Sequence, residues 1–364
     1  MKKMVSYKFR VYLTEEQEKL FRVESGHSRF AWNYLLAMHN EAYARDKTPF
    51  NYSALSKHIN ELKKTEEYSW LKDATGAVIT QKIIDLDKAF KNFFKKRSGY
   101  PKFKKKDNEQ RVRYQLDQRY ITSNYKSGEL LKLTNIGIID VKWHRIPTGV
   151  PKMVTLIKSA SGEYYVSFAC EEEIEELPKT GKVVGLDVGI KDVVVSSDGY
   201  FSGAPRFYYQ YQRDLKTAQR ALSRKTKGSK RYEKQRIVVA KLHELIARCR
   251  KDFLHKLTKQ IVVEYDCICI EDLNVKGMVK NRKLSKAVSD VGMYELRRQL
   301  TYKAEWYGKE VRVIDRWFPS TKMCSSCGML HDMKLSDRTM NCDCGFSIDR
   351  DLNAAINIRQ AGMV

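Results

Sequence analysis

The sequence predicts a mixed α/β protein in two parts: a β-rich part with inserted helices, followed by an α/β unit. Apolar residues alternate with polar or basic ones over 5–13, which is typical of a strand with one wet face. Further along, apolar strands such as 183–187 alternate with helical stretches. An acidic linker at 171–181, containing Pro178 and Gly181, predicts the boundary between the two parts.

The β-rich part begins with a strand, continues with helices and returns to strands. Thr14 and Gln17 form a capping box that starts a helix, and a second helical stretch follows at roughly 53–97. Short alternating strands then run to about 170, with a hairpin turn predicted at Ser161 and Gly162. The domains expected here are a β-barrel formed by 1–14 and 98–175, and a helical lobe inserted at 15–97.

The charge of the chain predicts a polyanionic partner. Lys and Arg number 68 against 44 Asp and Glu, a formal net charge of +24. Such an excess favours nucleic acid, because neutralising phosphates releases counterions. Membrane attachment is not expected, since no apolar run approaches the roughly 20 residues that span a bilayer. The N-terminus also lacks a signal-peptide pattern.

The basic residues are concentrated in two segments. Nine basic and two acidic residues lie between Lys95 and Arg113, interleaved with aromatic ones; this mixture suits backbone contact and base stacking, although such runs are often solvated loops. Sixteen basic and four acidic residues lie in 213–259, predicted as two helices joined near 228–229. Like charges so spaced repel unless an anion is bound. The candidate nucleic-acid contacts are Lys104, Lys105, Arg224, Lys225, Lys230 and Arg231.

Four of the eight cysteines form a predicted metal site. Two residues separate Cys324 from Cys327, one separates Cys342 from Cys344, and a glycine follows each pair. Four thiolates favour tetrahedral Zn²⁺ and close the site against water, so the ion is expected to be structural. His331 is an alternative ligand, although four cysteines already fill the shell. Nothing suggests a disulfide framework, which favours a reducing, intracellular compartment.

Three carboxylates are candidates for a second metal site. Asp187 and Glu271 lie at or near the ends of apolar strands, and Asp351 lies at the start of the last helix. Each alone is more simply explained as structural, and Asp349 competes with Asp351 for the third position. Three carboxylates gathered in one α/β unit repel each other and favour Mg²⁺, and two such ions hydrolyse phosphodiesters.

The motifs GLDVGIKD, CICIEDLNV, WFPSTKMCSSCG and CDCGFSIDRDLNAAINI occur in an order that resembles the split RuvC-type nuclease domain of the TnpB (OrfB) proteins of insertion sequences. That family comprises RNA-guided DNA endonucleases related to type V CRISPR effectors. KFRVYLTEEQEKLF and RFAWNYLL are also similar to the start of that family, so the resemblance covers nearly the whole chain. It implies an RNase H-like domain at 181–364, interrupted by a zinc-binding loop at 318–348.

The resemblance also implies roles for individual residues. Asp187, Glu271 and Asp351 match the three RuvC carboxylates, and the four cysteines match the zinc ligands. The cofactors expected are therefore two Mg²⁺ ions at the carboxylates and a structural Zn²⁺. The implied activity is guide-RNA-directed cleavage of double-stranded DNA beside a short motif. Tyr52, Thr80 and Gln81 lie at the positions where the family contacts that motif. Residues of these types are as often packing or helix-surface groups.

Two other functions remain open at this point. A nuclease-inactive, RNA-guided DNA-binding repressor is expected to lack one or more carboxylates, and all three are present. A guide-free transposase accessory protein would act on DNA without bound RNA. The expected partners are a guide RNA and double-stranded target DNA, in the cytoplasm of a prokaryote and associated with the nucleoid. The sequence leaves open whether the chain is a monomer or a dimer.

Overall fold

A computed structural model describes residues 2–47, 52–106, 110–115, 130–334 and 336–364. The chain divides into two compact units, Lys2–Glu173 and Ile174–Val364, and the division falls inside the acidic segment 171–181. No helix in these described ranges is long and apolar enough to cross a membrane.

The N-terminal unit contains a six-stranded sheet in the order β2-β5-β6-β1-β4-β3, in which all neighbouring strands are antiparallel. Alternate residues of the strands point to one shared core, because side chains along a strand alternate between faces. Closure of this curled sheet into a barrel stays a prediction, since 116–129, between β2 and β3, lie outside the described residues. The strands are β1 (Lys2–Tyr12), β2 (Gln110–Gln115), β3 (Leu130–Leu133), β4 (Gly137–Lys142), β5 (Val150–Lys158) and β6 (Tyr164–Glu173).

Between β1 and β2 the chain forms helices with a core of their own. The capping box is confirmed: the Thr14 hydroxyl accepts from the Gln17 backbone N–H, and the Gln17 side chain accepts from the Thr14 N–H. The helical stretch predicted at 53–97 is wrong as a single element, because the polar run at 63–68 carries no apolar stripe to bury. The elements are α1 (Glu15–Asp46), α2 (Tyr52–Leu62), a 3₁₀ turn (Ser69–Asp73) and α3 (Gly76–Phe94).

The C-terminal unit is built on a four-stranded sheet in the order β10-β9-β7-β8. Strands β7, β9 and β10 are parallel, and the two-residue β8 is antiparallel to β7. The apolar run that follows Gly189 therefore forms only a two-residue strand. The strands of this sheet are β7 (Val183–Asp187), β8 (Val195–Ser196), β9 (Cys267–Glu271) and β10 (Glu310–Ile314).

Helices cover both faces of this sheet. The apolar side chains of β9 alternate, with Ile268 and Ile270 in one core and Cys267 and Cys269 in a second core that includes Ile358. Both cysteines are buried thiols within the strand. The helices are α4 (Phe207–Gln210), α5 (Gln212–Ser223), α6 (Lys230–Glu264), α7 (Val275–Lys280), α8 (Ser285–Val291), α9 (Met293–Trp306) and α10 (Arg350–Met363).

Two helix boundaries matter for the position of the site. Helices α8 and α9 are separated at Gly292, whose φ of +74° is a left-handed conformation that ends α8. The terminal helix α10 begins at Arg350. It lies directly on β7, because a side chain at Gly185 would overlap the backbone of Ala355 and Arg359. That close approach fixes where the start of α10 lies.

Candidate active site

Asp187 and Glu271 lie side by side at the carboxyl edge of the four-stranded sheet. Each is the last residue of its strand, β7 and β9, and these strands are parallel neighbours with Leu186 opposite Ile270. Adjacent strands are about 4.8 Å apart, and residues in register point to the same face. The strand-end positions predicted for the two acids are therefore brought together by strand pairing.

Asp351 joins them from the first turn of α10. Asp349 is the N-cap of this helix: its Oδ1 accepts from the backbone N–H groups of Asp351 (2.9 Å) and Leu352 (3.2 Å). A carboxylate at this position satisfies donors that the helix itself cannot pair. Because the cap occupies Asp349, the carboxylate of Asp351 is held instead by the guanidinium of Arg350, at 3.0 and 2.9 Å from Nε and Nη2.

The electrostatics of Asp187 report the crowding of these acids. Burial, followed by the negative charges of Glu271 and Asp351, raises the pKa of Asp187 to about 8, and the positive charge of Arg350 only partly opposes this. Ionising Asp187 beside two carboxylates is costly without a cation. An all-oxygen donor set of this kind suits Mg²⁺.

Glu271 is positioned by the loop that follows β10. The Ser320 hydroxyl donates a hydrogen bond to Glu271 Oε1. Four residues earlier in the same loop, Arg316 donates to the carboxylate and to the carbonyl of Asp272. Arg297 Nη1 also donates to the Asp272 carboxylate, at 2.6 Å. The loop is thus attached at two points to the end of β9. Sequence reasoning missed Ser320, because a serine in an irregular loop carries no periodic signal.

The four predicted zinc ligands are brought together. Cys324 Sγ lies 3.9 Å from Cys344 Sγ, and Cys327 Sγ lies 3.5 Å from Cys342 Sγ. Tetrahedral Zn²⁺ with bonds of about 2.3 Å places sulfurs roughly 3.8 Å apart, so the cluster fits that ion. Among the described residues this is the only group of three or more potential ligands within 4.8 Å of one another. The three carboxylates are therefore spaced more widely.

His331, the alternative ligand, lies at the edge of this cluster. Its Nε2 is 3.1 Å from Cys342 Sγ. The glycines after each cysteine pair, Gly328 and Gly345, have φ of +78° and +83°, which a residue with a side chain adopts only with strain. The two turns and the hairpin of β11 (Thr339–Asn341) and β12 (Ser347–Asp349) form the metal loop, and β12 runs directly into α10.

Two buried asparagines join the metal loop to α10. Asn353 Nδ2 donates to the Met323 carbonyl at 2.7 Å, and its Oδ1 accepts from the Ser325 N–H at 2.9 Å. Asn357 Nδ2 donates to the carbonyls of Ser320 (2.7 Å) and Met323 (2.6 Å). Both asparagines are fully buried. Sequence reasoning did not assign them, although two amides four residues apart in an apolar helix were a detectable signal.

The candidate nucleic-acid contacts lie in different environments. Arg224, Lys225, Lys230 and Arg231 flank the turn between α5 and α6, where Gly228 has a φ of +88°. The two basic helices predicted there are confirmed. In the N-terminal unit, Thr80 is exposed and Tyr52 is partly so, whereas Gln81 is buried and its amide donates to Asp85 Oδ1 at 3.2 Å.

Comparison with known proteins places this architecture. Three family models match the chain: one described as "Probable transposase" at 167–282, one as "Cas12f1-like, TNB domain" at 294–358, and one as "Helix-turn-helix domain" at 1–48. In the last of these ranges the described residues form β1 and the single helix α1. A solved Cas12f1 complex with sgRNA and target DNA has a similar fold, with a TM-score of 0.60 at 13% identity, covering 99% of this chain and 98% of that one.

The matched family models and the shared fold define the class: a transposase-related α/β protein with a Cas12f1-like domain that contains the cysteine cluster. A "Putative RNA-guided DNA endonuclease" of Streptomyces pristinaespiralis is 38% identical over 98% of this chain and 89% of its own length. The "Putative RNA-guided DNA endonuclease InsQ" of Escherichia coli (strain K12) is 32% identical over 100% of this chain and 93% of its own length. The chain belongs to the TnpB (OrfB) family.

Proposed function

We propose that the protein is an RNA-guided endonuclease that cleaves double-stranded DNA beside a short target-adjacent motif and is encoded by a transposable element. The observation that carries the proposal is the meeting of Asp187, Glu271 and Asp351 at one edge of the sheet. The names of the relatives and the fold shared with the Cas12f1 complex support it. The C-terminal unit would be the RuvC-like nuclease and the N-terminal sheet its barrel.

The three carboxylates would together hold two Mg²⁺ ions. When bound, such ions make a water nucleophilic at neutral pH and stabilise the leaving oxygen of the phosphodiester. The chain's own contribution is placement. Strand pairing holds Asp187 beside Glu271, Ser320 orients Glu271, and the Asp349 cap fixes the turn that carries Asp351. The cysteine cluster, closed by four sulfurs, would hold a structural Zn²⁺.

Guide RNA and target DNA would bind the basic segments. The tip of the α5–α6 hairpin offers Arg224, Lys225, Lys230 and Arg231, and Lys104 and Lys105 lie in the N-terminal unit. Tyr52 and Thr80 are the proposed contacts to the target-adjacent motif. Gln81, which was predicted with them, is buried and its amide donates to Asp85, so it is not available on the surface. We place the protein in the prokaryotic cytoplasm, with the nucleoid.

The test is cleavage by Asp187→Ala and Glu271→Ala, using protein purified with RNA from its native locus. Both variants are expected to lose cutting and to keep wild-type affinity for RNA and DNA. The matched control is Asp332→Ala, because that carboxylate is 98% exposed and is not one of the three proposed to hold Mg²⁺. Full-rate cutting by either site variant would overturn the nuclease assignment. Sequencing the RNA that co-purifies distinguishes a guided enzyme from a guide-free accessory protein, which would carry none.

A further inference from the structure

The two cysteine pairs of the metal loop differ in length by one residue. Two residues separate Cys324 from Cys327, whereas one separates Cys342 from Cys344. Turns of this kind direct successive backbone N–H groups at an anionic atom, here the first sulfur of the pair. The shorter second pair therefore has one backbone donor fewer to offer.

The first turn supplies two donors to its sulfur. The backbone N–H groups of Ser326 and Cys327 both donate to Cys324 Sγ. The next N–H, that of Gly328, donates to the Cys324 carbonyl at 2.9 Å and closes the turn. Both N–H groups that precede the closing one are thus directed at sulfur.

The second turn closes one residue sooner, and a side chain lies where the further donor is missing. The Cys344 N–H donates to Cys342 Sγ. The next N–H, that of Gly345, already closes this turn on the Cys342 carbonyl at 2.9 Å. His331 Nε2 lies 3.1 Å from Cys342 Sγ, within hydrogen-bond range of a sulfur acceptor.

The backbone on the far side of the first turn holds His331 in this position. Its N–H donates to the Lys322 carbonyl at 2.9 Å, and Met323 pairs with Leu330 in an antiparallel bridge. His331 is therefore anchored to the first turn, while its partly buried side chain reaches Cys342 in the second. A group held in this way loses little entropy when it engages its partner.

The direction of this hydrogen bond follows from the chemistry of zinc binding. A sulfur that binds Zn²⁺ is a thiolate and carries no proton. The imidazole must then donate its Nε2–H to Cys342, which leaves that nitrogen no lone pair for a metal. Four thiolates bring more negative charge than one divalent ion neutralises, and each hydrogen-bond donor offsets part of the excess.

We propose that His331 is a positioning residue of the zinc site: it donates Nε2–H to the Cys342 thiolate in place of the backbone donor that the shorter turn lacks, and so helps to retain the ion. His331 then supports a four-sulfur site and is not itself a ligand. The inference rests on the structural Zn²⁺ of the proposed function and does not depend on DNA cleavage.

The experiment measures zinc affinity of the full-length protein by competition with a chromogenic chelator. His331→Ala is expected to weaken zinc binding about 10- to 100-fold, the usual effect of losing a group that supports a metal ligand. His331→Gln is expected to recover most of the affinity, because its amide N–H extends about as far from the backbone as imidazole Nε2–H. The control is Asp332→Ala, at the exposed neighbouring position, which is expected to bind zinc as the wild type does.

Wild-type zinc affinity in His331→Ala overturns the proposal. Equal losses in His331→Ala and His331→Gln also overturn it, because they indicate packing by the ring and no donor role. A wild type that binds no zinc overturns both this proposal and the structural zinc. Failure of the nuclease proposal is seen separately, because Asp187→Ala tests cutting whereas the His331 variants test zinc binding.

Cobalt substitution distinguishes a donor from a ligand. Co²⁺ bound by four sulfurs and Co²⁺ bound by three sulfurs and one nitrogen differ in their visible absorption bands, since the bands depend on ligand type. The wild type is expected to show the four-sulfur spectrum, and His331→Ala to keep it. A spectrum of three sulfurs and one nitrogen that changes in His331→Ala makes His331 a ligand and contradicts the proposed role.

Discussion

Ser320 joins Glu271 to the last helix of the chain. Its hydroxyl donates to the Glu271 carboxylate, while its own carbonyl accepts from Asn357 Nδ2 of α10 at 2.7 Å. The strand end that carries one acid and the helix that carries another are therefore connected through a single residue. Such supporting contacts commonly determine how well a ligand carboxylate holds its metal.

Ser320→Ala is expected to reduce cleavage about 10- to 100-fold, the usual effect of losing a group that orients a metal ligand. Because Glu271 itself remains, saturating Mg²⁺ is expected to restore part of the rate. Cleavage measured across a Mg²⁺ titration reports this as a higher half-saturating concentration. The control is Ser326→Ala, an exposed serine in the same loop. If Ser320→Ala shows the Mg²⁺ dependence of the wild type, Ser320 does not orient Glu271.

The cysteine cluster and the carboxylates are expected to respond differently to substitution. Cys324→Ser removes a sulfur ligand, so it should release zinc, lower the thermal midpoint by at least about 5 °C and reduce cutting. Asp351→Ala should abolish cutting with zinc content and midpoint unchanged. Metal analysis by mass spectrometry and a thermal melt of each variant make the comparison. Zinc loss in Asp351→Ala would contradict the separation of the two sites.

Asn357→Ala is expected to destabilise the C-terminal unit by about 2 to 4 kcal/mol. The substitution leaves the Ser320 carbonyl without its amide donor, at about 1 to 3 kcal/mol, and removes one of two donors to the Met323 carbonyl, which keeps Asn353, at about 1 kcal/mol. Urea denaturation followed by tryptophan fluorescence measures the loss. Gln360→Ala is the matched control, because that amide is exposed on the same helix and makes only a 3.4 Å contact. Equal stabilities of the two variants would exclude the asparagine link as a stabilising element.

Lys303 is expected to make stability depend on pH. It is buried between α9 and α6, where its ammonium donates to the His255 carbonyl and the Thr258 hydroxyl, both at 2.7 Å. Burial, followed by the charge of Lys259, lowers the pKa of Lys303 to about 8. The folded state therefore disfavours the charged form. The charged Lys303 therefore lowers the free energy of unfolding by its full amount below pH 8. This loss is relieved as the pH rises from about 8 towards 10.5, the pKa of the lysine in the unfolded chain.

Lys303→Met is accordingly expected to be more stable than the wild type at pH 7, by roughly 1 to 3 kcal/mol, with the difference shrinking by pH 10. Urea denaturation at a series of pH values gives the difference directly, and effects of other titrating groups cancel between the two proteins. Lys256→Met, at a lysine that is 78% exposed, controls for the loss of charge. A difference that is constant across pH would show that Lys303 titrates normally.

Much of the site follows from local patterns in the sequence. Asp187 and Glu271 were recognisable because each ends an apolar run, and the cysteines because their spacing is that of zinc ligands. What local patterns do not contain is pairing across the chain. The hydrogen bond from Ser320 to Glu271 depends on the path of the loop that follows β10. In the N-terminal unit, packing likewise brings Arg29 of α1 and Arg113 of β2 to the wall of one cavity, although they are distant in sequence.

The boundaries of α10 show a subtler limit. Asp349 and Asp351 are two acids in one short run, and the sequence offered both as candidates for the third carboxylate. Their roles separate only once the helix start is known, because the residue before the first turn caps it and a residue within the turn does not. A shift of two residues in that boundary would make Asp351 the N-cap in place of Asp349.

The docking of α10 against Gly185 has a consequence for biosynthesis. A ribosome that has translated residues 1–345 has released Asp187 and Glu271, but not the helix that lies on β7 and brings Asp351 to them. The growing chain can thus fold its basic segments well before it can acquire a complete set of carboxylates. Under the proposed function, translation itself keeps the nascent protein harmless to the DNA beside which it is made.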